Sequence, residues 1–348
     1  MPNASATHLT RRGILAAGGA LGLGAALTAC GDDDGKSGSD EGAGGTGKSG
    51  PWSFKDDRGT TVKLDSVPKN IVAFTGVAAA LFDYGVQVKG VFGPTTTKDG
   101  KPDVQAGDLD VAKVTVLGNE WGKLNVEKYA TLAPEVLITT TFDTAGTLWS
   151  VPEESKDKVA KLAPSVAISV FDRQLTQPLQ RMWELAESLG ADMKAKKATD
   201  AKAGFEKAAA RLRAAAKAKP EIRVLAGSAS ADLFYVSGTN LSVDLEYFKA
   251  LGVNFVEPSD EAKKATGGWF ESLSWENVDK YPADVIIMDD RASTIQPADI
   301  TEGTWKQLPA VKAGQVIARS PEPILSYDKC TPLLNNLAEA IENAKKVG

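Results

Sequence analysis

Residues 192–218 read DMKAKKATDAKAGFEKAAARLRAAAKA, and Pro220 follows closely. Ala and Lys dominate the run, and both are strong helix formers. Asp192 is a suitable N-cap, and Pro220 cannot continue a helix. At ~1.5 Å per residue the run makes a rod of roughly 40 Å. Gly204 weakens its middle by about 1 kcal/mol relative to Ala. Such a rod is either an ordinary surface helix or a spine between two lobes, and the flanking chain decides between them.

Both flanks carry strand and helix patterns. On the N-terminal side, two short runs surround the turn Asp56-Asp57-Arg58-Gly59, which predicts a hairpin. The segments 68–74, 76–84 and 88–92 read as strand, helix and strand, a unit that implies a parallel sheet with right-handed crossovers. The alternation continues with a helix over 124–132, a strand over 136–140, a helix over 155–163, a strand over 166–171 and an amphipathic helix over 178–189. Trp183 falls on the apolar face of that last helix. On the C-terminal side, strands are predicted at 222–226, 234–236, 253–256, 285–289 and 316–318. Helices are predicted at 242–251, 274–281, 300–308 and 332–347, with Trp305 packing the lobe. The expectation is an α/β chain with two lobes of mainly parallel sheet, joined by one long helix and crossed once. The boundaries are 52–190 for the first lobe, 191–219 for the linking helix and 220–348 for the second lobe.

Residues 1–29 read as an address label and stay outside fold reasoning. Thr10-Arg11-Arg12-Gly13 is a twin-arginine pattern, an apolar run follows, and Leu27-Thr28-Ala29-Cys30 looks like a bacterial lipobox. Cutting before Cys30 leaves a cysteine able to carry lipid; the alternative is an ordinary secretory signal with an incidental cysteine. Residues 30–51 are rich in Gly, Ser, Asp and Lys and form a flexible tether. Arg11 and Arg12 are the leader's only charged side chains, so 40 basic residues fall to 38 against 45 acidic ones, a net charge near −7. That balance, with no basic run, argues against nucleic acid as a partner. Cys330 is the one cysteine after Cys30 and reads as a small core residue. The single histidine, His8, lies in the leader. The mature chain therefore lacks Ser-His-Asp and Cys-His catalysis in their usual form, and histidine-based zinc sites.

The chain resembles the substrate-binding lipoproteins of ABC importers for iron–siderophore complexes or cobalamin, the helical-backbone (class III) binding proteins. The segments that carry the resemblance are 68–74 with 81–93, 124–138 (LNVEKYATLAPEVLI), 273–289 (LSWENVDKYPADVIIMD) and 305–317 (WKQLPAVKAGQVI). They stand in the family's order, with the rod between the second and the third, and the resemblance covers about residues 52–348.

The resemblance implies capture and delivery without covalent chemistry, and no cofactor. Two docking carboxylates, one per lobe, would meet arginines of an ABC permease that works with its own ATPase. They map onto Glu127 in Asn125-Val126-Glu127 and Glu276 in Ser274-Trp275-Glu276. An acid near a helix start is also favourable there by itself.

The ligand is expected between the lobes, at the loops after the strand ends. The first lobe offers Trp121, Phe142, Trp149 and Arg173; the second offers Tyr235, Trp269, Phe270, Arg291 and Tyr327. Aromatic faces suit the apolar flanks of a wrapped iron complex, and Arg suits its coordinating oxygens. Few basic residues stand in these loops: Arg173, Arg291 and, beside them, Arg319. The expected ligand is therefore an Fe(III)–siderophore complex of hydroxamate type with low or positive charge, its metal held by the chelator and not by the protein. The protein is expected to be a monomer, held at the outer membrane face by lipid on Cys30, and the spine is expected to limit hinge motion. The alternatives are a cobalamin or other organic-ligand binder, a secreted hydrolase using acids such as Asp143 or Asp290, and a structural surface lipoprotein.

Overall fold

A computed structural model of the chain describes residues 50–348. The leader, Cys30 and the tether up to residue 49 lie outside the described residues.

The chain begins with a hairpin of β1 (Trp52–Lys55) and β2 (Thr61–Leu64). Asp56 closes its turn by accepting from the N–H groups of Arg58 and Thr60, both at 3.0 Å. Next come β3 (Ile71–Phe74), α1 (Thr75–Asp83), β4 (Gly90–Phe92), β5 (Thr115–Val116), α2 (Val126–Thr131), β6 (Val136–Thr141), α3 (Lys156–Leu162), β7 (Ser165–Ser169) and α4 (Thr176–Ser188). The sheet order is β5-β4-β3-β6-β7, and every pairing is parallel. β3 and β6 are buried along their whole length, as central parallel strands covered on both faces must be.

α5 (Lys196–Ala218) starts four residues later than the pattern predicts. Asp192 does not cap it. Its carboxylate accepts from Lys194 N–H at 3.0 Å, and its carbonyl accepts from Ala195 N–H, so it closes a turn of its own. Asp commonly bonds to nearby backbone in this way, in competition with helix. Phe205, Ala208, Ala209, Leu212, Ala215 and Ala216 form the buried stripe.

The second half runs β8 (Arg223–Ala229), β9 (Leu233–Ser237), α6 (Val243–Ala250), β10 (Asn254–Phe255), α7 (Asp260–Lys263), β11 (Phe270–Ser274), β12 (Val285–Asp289), α8 (Gly303–Gln307), α9 (Pro309–Lys312), β13 (Val316–Arg319) and α10 (Tyr327–Asn343). The sheet order is β11-β9-β8-β12-β13, with β10 beside the start of β8. β8, β12 and β13 are parallel, while β8-β9-β11 is an antiparallel meander. β11 has no counterpart among the predicted strands, and the predicted helix 274–281 is a 3₁₀ turn, Trp275–Lys280.

Two matched acids tie the sheets. Glu135, just before β6, accepts from the N–H groups of Lys69 and Asn70 ahead of β3, both at 2.7 Å. Asp284, just before β12, accepts from Arg223 N–H at the start of β8 at 2.8 Å.

The expectation of a single crossing does not hold. After β13 the chain returns to the first lobe, where Ser326 Oγ donates to Asp83 at 2.5 Å and Tyr327 N–H donates to Tyr84 Oη at 3.1 Å. α10 then runs along α5. Arg211 pairs with Glu342, and Lys219 Nζ donates to the carbonyl of Ala344 at 2.9 Å. α10 begins at Tyr327, not at Pro332, because Ser326 caps it by accepting from Lys329 N–H at 3.2 Å. Pro332 inside the helix leaves only the carbonyl of Asp328 without its i+4 donor, and Asp328 is exposed to water.

One hydrophobic core therefore runs from the first lobe, through the α5–α10 pair, to the near face of the second sheet. A smaller core with Phe234, Trp275 and Trp305 fills that sheet's far face. Cys330 is fully buried, its Sγ donating to Ile324 O. Trp183 is half-buried at the core edge against Tyr84. Among the described residues no helix is long and apolar enough to cross a membrane.

Candidate functional site

A cleft of about 580 Å³ opens between the two sheets, within the usual size range for small-molecule sites. The loop after β6 gives one wall: Phe142, Asp143, Thr147 and Trp149. This loop folds back on its own strand. Trp149 N–H donates to Thr140 O at 3.0 Å, and Thr139 Oγ1 donates to Trp149 O at 2.9 Å. Trp149 is thus held on the sheet rather than left on a free loop.

The other wall comes from the second sheet. β9 alternates, with Phe234 and Val236 buried while Tyr235 and Ser237 face the cleft. Tyr235 meets Phe270 of β11 edge to face, with centroids 5.2 Å apart. Gly267 and Gly268 have φ of +66° and +98°, a backbone path that only glycine adopts without strain. They deliver Trp269 to the cleft, where its ring lies 6.4 Å from both Phe142 and Phe171 of the first lobe. Trp269 therefore bridges the lobes at one end of the cleft.

Charged groups form the floor. Arg291 donates to Asp289 at 2.6 Å and to Glu322 at 2.7 Å. Burial works against the Arg291 charge, and the two carboxylates more than offset it. Arg319 is held by Asp244 at 2.7 and 2.9 Å. Burial pushes the Glu322 carboxyl up to about 7, against the pull of Arg291. Asp143 is held below its ordinary range by hydrogen bonds from Thr147. Three carboxylates, Asp143, Asp289 and Glu322, line the cleft against two guanidiniums. Both guanidiniums are already paired, so the cleft offers an anion no free cation from its lining.

Of the residues singled out in the sequence, Phe142, Trp149, Tyr235, Trp269, Phe270 and Arg291 line one cleft. Trp121 does not line it. It stands behind Trp149, between that ring at 5.8 Å and Phe74 at 5.5 Å. Arg173 lines a neighbouring polar hollow with Asp57, Arg58 and Asp172. Tyr327 is in the core, its ring 5.4 Å from Phe205 and 5.6 Å from Trp183, because α10 starts earlier and packs on α5. Asp290 turns towards Ser320, which donates to it at 2.7 Å.

The main residue absent from the sequence prediction is Glu322. Its signal was Ser320-Pro321-Glu322-Pro323, an acid between two prolines directly after a strand end. Among the described residues Asp83, Asp108 and Asp328 bring carboxylate oxygens within 4.8 Å of one another. The Lys329 ammonium already pairs with two of them, at 2.6 Å from Asp108 and 3.4 Å from Asp328.

Glu127 and Glu276 are both exposed and stand in the first turn of short helices. Asn125 caps the first by accepting from Lys128 N–H at 2.8 Å. Hydrogen bonds from its own backbone N–H and from Ser274 hold Glu276 below the usual carboxylate range.

Residues 71–323 match the family model described as periplasmic binding protein. The chain is similar to DesE, a ferric-siderophore receptor protein from Streptomyces coelicolor. The identity is 96%, the match covers 85% of this chain and 100% of that one, and the TM-score is 0.85. It shares its fold with the siderophore periplasmic binding protein from the fuscachelin gene cluster of Thermobifida fusca, at 21% identity and TM-score 0.56 over 79% of this chain and 96% of that one. It also shares it with Staphylococcus aureus SirA, solved in complex with staphyloferrin B, at 20% identity and TM-score 0.58 over 84% and 99%. No curated protein in the comparison matches the chain.

Proposed function

The chain belongs to the periplasmic binding protein family, and from that premise we propose that it captures a ferric siderophore between its lobes. It is the substrate-binding component of an ABC importer and hands the chelate to a membrane permease. The observation that carries this reading is the aromatic cleft between the lobes, with Trp149, Tyr235, Trp269 and Phe270 around about 580 Å³. The 96% identity to a ferric-siderophore receptor supports it. The protein works outside the cytoplasm, as its family does.

The chelate is of hydroxamate type, neutral or positively charged. The cleft's excess of carboxylate, with Arg291 and Arg319 both engaged, supports this charge class. A strongly anionic tris-catecholate would meet Asp143, Asp289 and Glu322 without a free cation to offset them. The neighbours of this fold are binding proteins, and the protein's role is capture without covalent chemistry. The mature chain is a monomer tethered by lipid on Cys30, supported by Leu27-Thr28-Ala29-Cys30 and the polar stretch that follows. Glu127 and Glu276, exposed on separate lobes, dock the permease.

Quenching of tryptophan fluorescence by a panel of chelates tests the reading. A cationic ferric trihydroxamate is expected to bind at least tenfold more tightly than a ferric tris-catecholate or cobalamin. Tighter binding of cobalamin would overturn it.

A further inference from the structure

Glu322 lies on the second crossing between the lobes, between Pro321 and Pro323, which restrict its backbone. Its carbonyl accepts from Gln105 Nε2 of the first lobe at 2.8 Å. Its carboxylate faces both ways. Oε1 accepts from Arg291 Nη1 of the second lobe at 2.7 Å, and Oε2 accepts from Trp149 Nε1 of the first at 3.1 Å. The side chain is only 10% exposed.

We propose that Glu322 is a positioning residue for chelate capture, its carboxylate clasping Trp149 of one lobe and Arg291 of the other and so setting the two cleft walls at the spacing that receives the ligand. This rests on reading the cleft as the ferric-chelate site. A simple structural ion pair would not need this arrangement. Arg291 already has a partner on its own side in Asp289, which takes Nε at 3.0 Å and Nη2 at 2.6 Å. The second acid comes from the crossing segment, and its remaining oxygen is used on an indole from the opposite lobe. Both bonds need acceptors, and a protonated carboxyl turns one of its oxygens into a donor. Protonation therefore weakens the clasp, which is strongest when Glu322 is ionised. Burial pushes its carboxyl up to about 7, so the change falls in the neutral range. An ionised Glu322 also adds negative charge facing a cationic chelate, so both effects favour binding at higher pH.

The charged and titratable groups around it are Asp289 and Arg291 after β12, Asp143 after β6, Tyr235 on β9, and Arg319 on β13 with Asp244 behind it. Asp290, beside Arg291, is also pushed up by burial and is the competing titratable carboxyl.

Two measurements on the ligand-binding protein decide the matter. In the ligand-free protein, indole ¹H–¹⁵N signals are followed from pH 5.5 to 8.5, with the Trp149 signal identified by its loss in Trp149→Phe. That signal is expected to titrate near pH 7 in wild type and in Asp290→Asn, and not in Glu322→Gln. Affinity for a ferric trihydroxamate is then measured over the same range. Wild type is expected to bind about fivefold more tightly at pH 8 than at pH 6. Glu322→Gln should be about tenfold weaker and flat with pH, and Glu322→Asp should restore the pH dependence. Wild-type affinity and slope in Glu322→Gln would overturn the proposal, as would loss of the slope in Asp290→Asn alone. If wild type binds no ferric chelate, the functional reading falls, and the Trp149 titration still decides whether the clasp exists.

Discussion

Asp244 and Arg319 form a bidentate pair beneath the cleft, at 2.7 and 2.9 Å, with side chains only 1% and 5% exposed. Asp244 stands in the first turn of α6, and Arg319 ends β13, so the pair locks a helix start to a strand end. Removing one partner leaves an uncompensated buried charge. Asp244→Ala is expected to lower stability by about 3–5 kcal/mol, read as a fall in the urea midpoint. A loss under about 1 kcal/mol would mean that water reaches the guanidinium.

Trp269 and Tyr327 are both aromatic, and both stand beside turns in the sequence, yet the structure separates their roles. Trp269→Ala removes the ring between Phe142 and Phe171 and should weaken chelate binding by about thirtyfold, as a central anchor does. Tyr327→Phe should leave affinity unchanged within about twofold, because that ring packs between Phe205 and Trp183. Fluorescence titration measures both.

Asp284 predicts an acid limit to stability. Burial opposes its ionisation, but N–H donors from Arg223 and Gly348, with Lys346, hold its carboxyl down at about 2. The folded value lies below the ordinary 3.8, so the unfolded chain binds the proton more readily. Its stabilisation is present above pH 3.8 and is lost as pH falls through about 2. Asp284→Asn should lower stability by about 2 kcal/mol at pH 7 and flatten this part of the acid limb. Thermal unfolding between pH 2 and 7 reads both effects.

Glu127 and Glu276 should separate capture from delivery. Neither lines the cleft, so reversing either to Lys should leave chelate affinity unchanged. Uptake of iron from the chelate in cells should fall about tenfold or more for each, as like charge against the permease predicts. Normal uptake in the double reversal would remove both from the docking surface.

The site was partly legible in advance, for local reasons. Trp269 follows two glycines and precedes a polar helix start, which marks a ring delivered to an exposed strand end. Trp149 and Phe142 follow a strand of six buried residues, where a parallel sheet opens its ligand loops. Tyr327 misled because its surroundings read as a loop before Pro332. A proline at a helix start and one inside a helix look alike until the capping serine is placed. Glu322 carried only the mark of its flanking prolines, since its partner Trp149 is 173 residues away in the chain.

The sequence by itself determined the elements: an alanine-rich rod with strand-and-helix blocks on either side, and aromatic residues at the strand ends. Those features are local, because helix propensity, buried strand runs and turn chemistry act over a few residues. The tertiary structure alone decided the return crossing, the pairing of α10 with α5, and the carboxylate floor that joins the lobes. These depend on which apolar stripe finds which partner and on which buried charge meets its counter-ion. Both are set by contacts between residues 31 to 243 positions apart, where no local pattern records them.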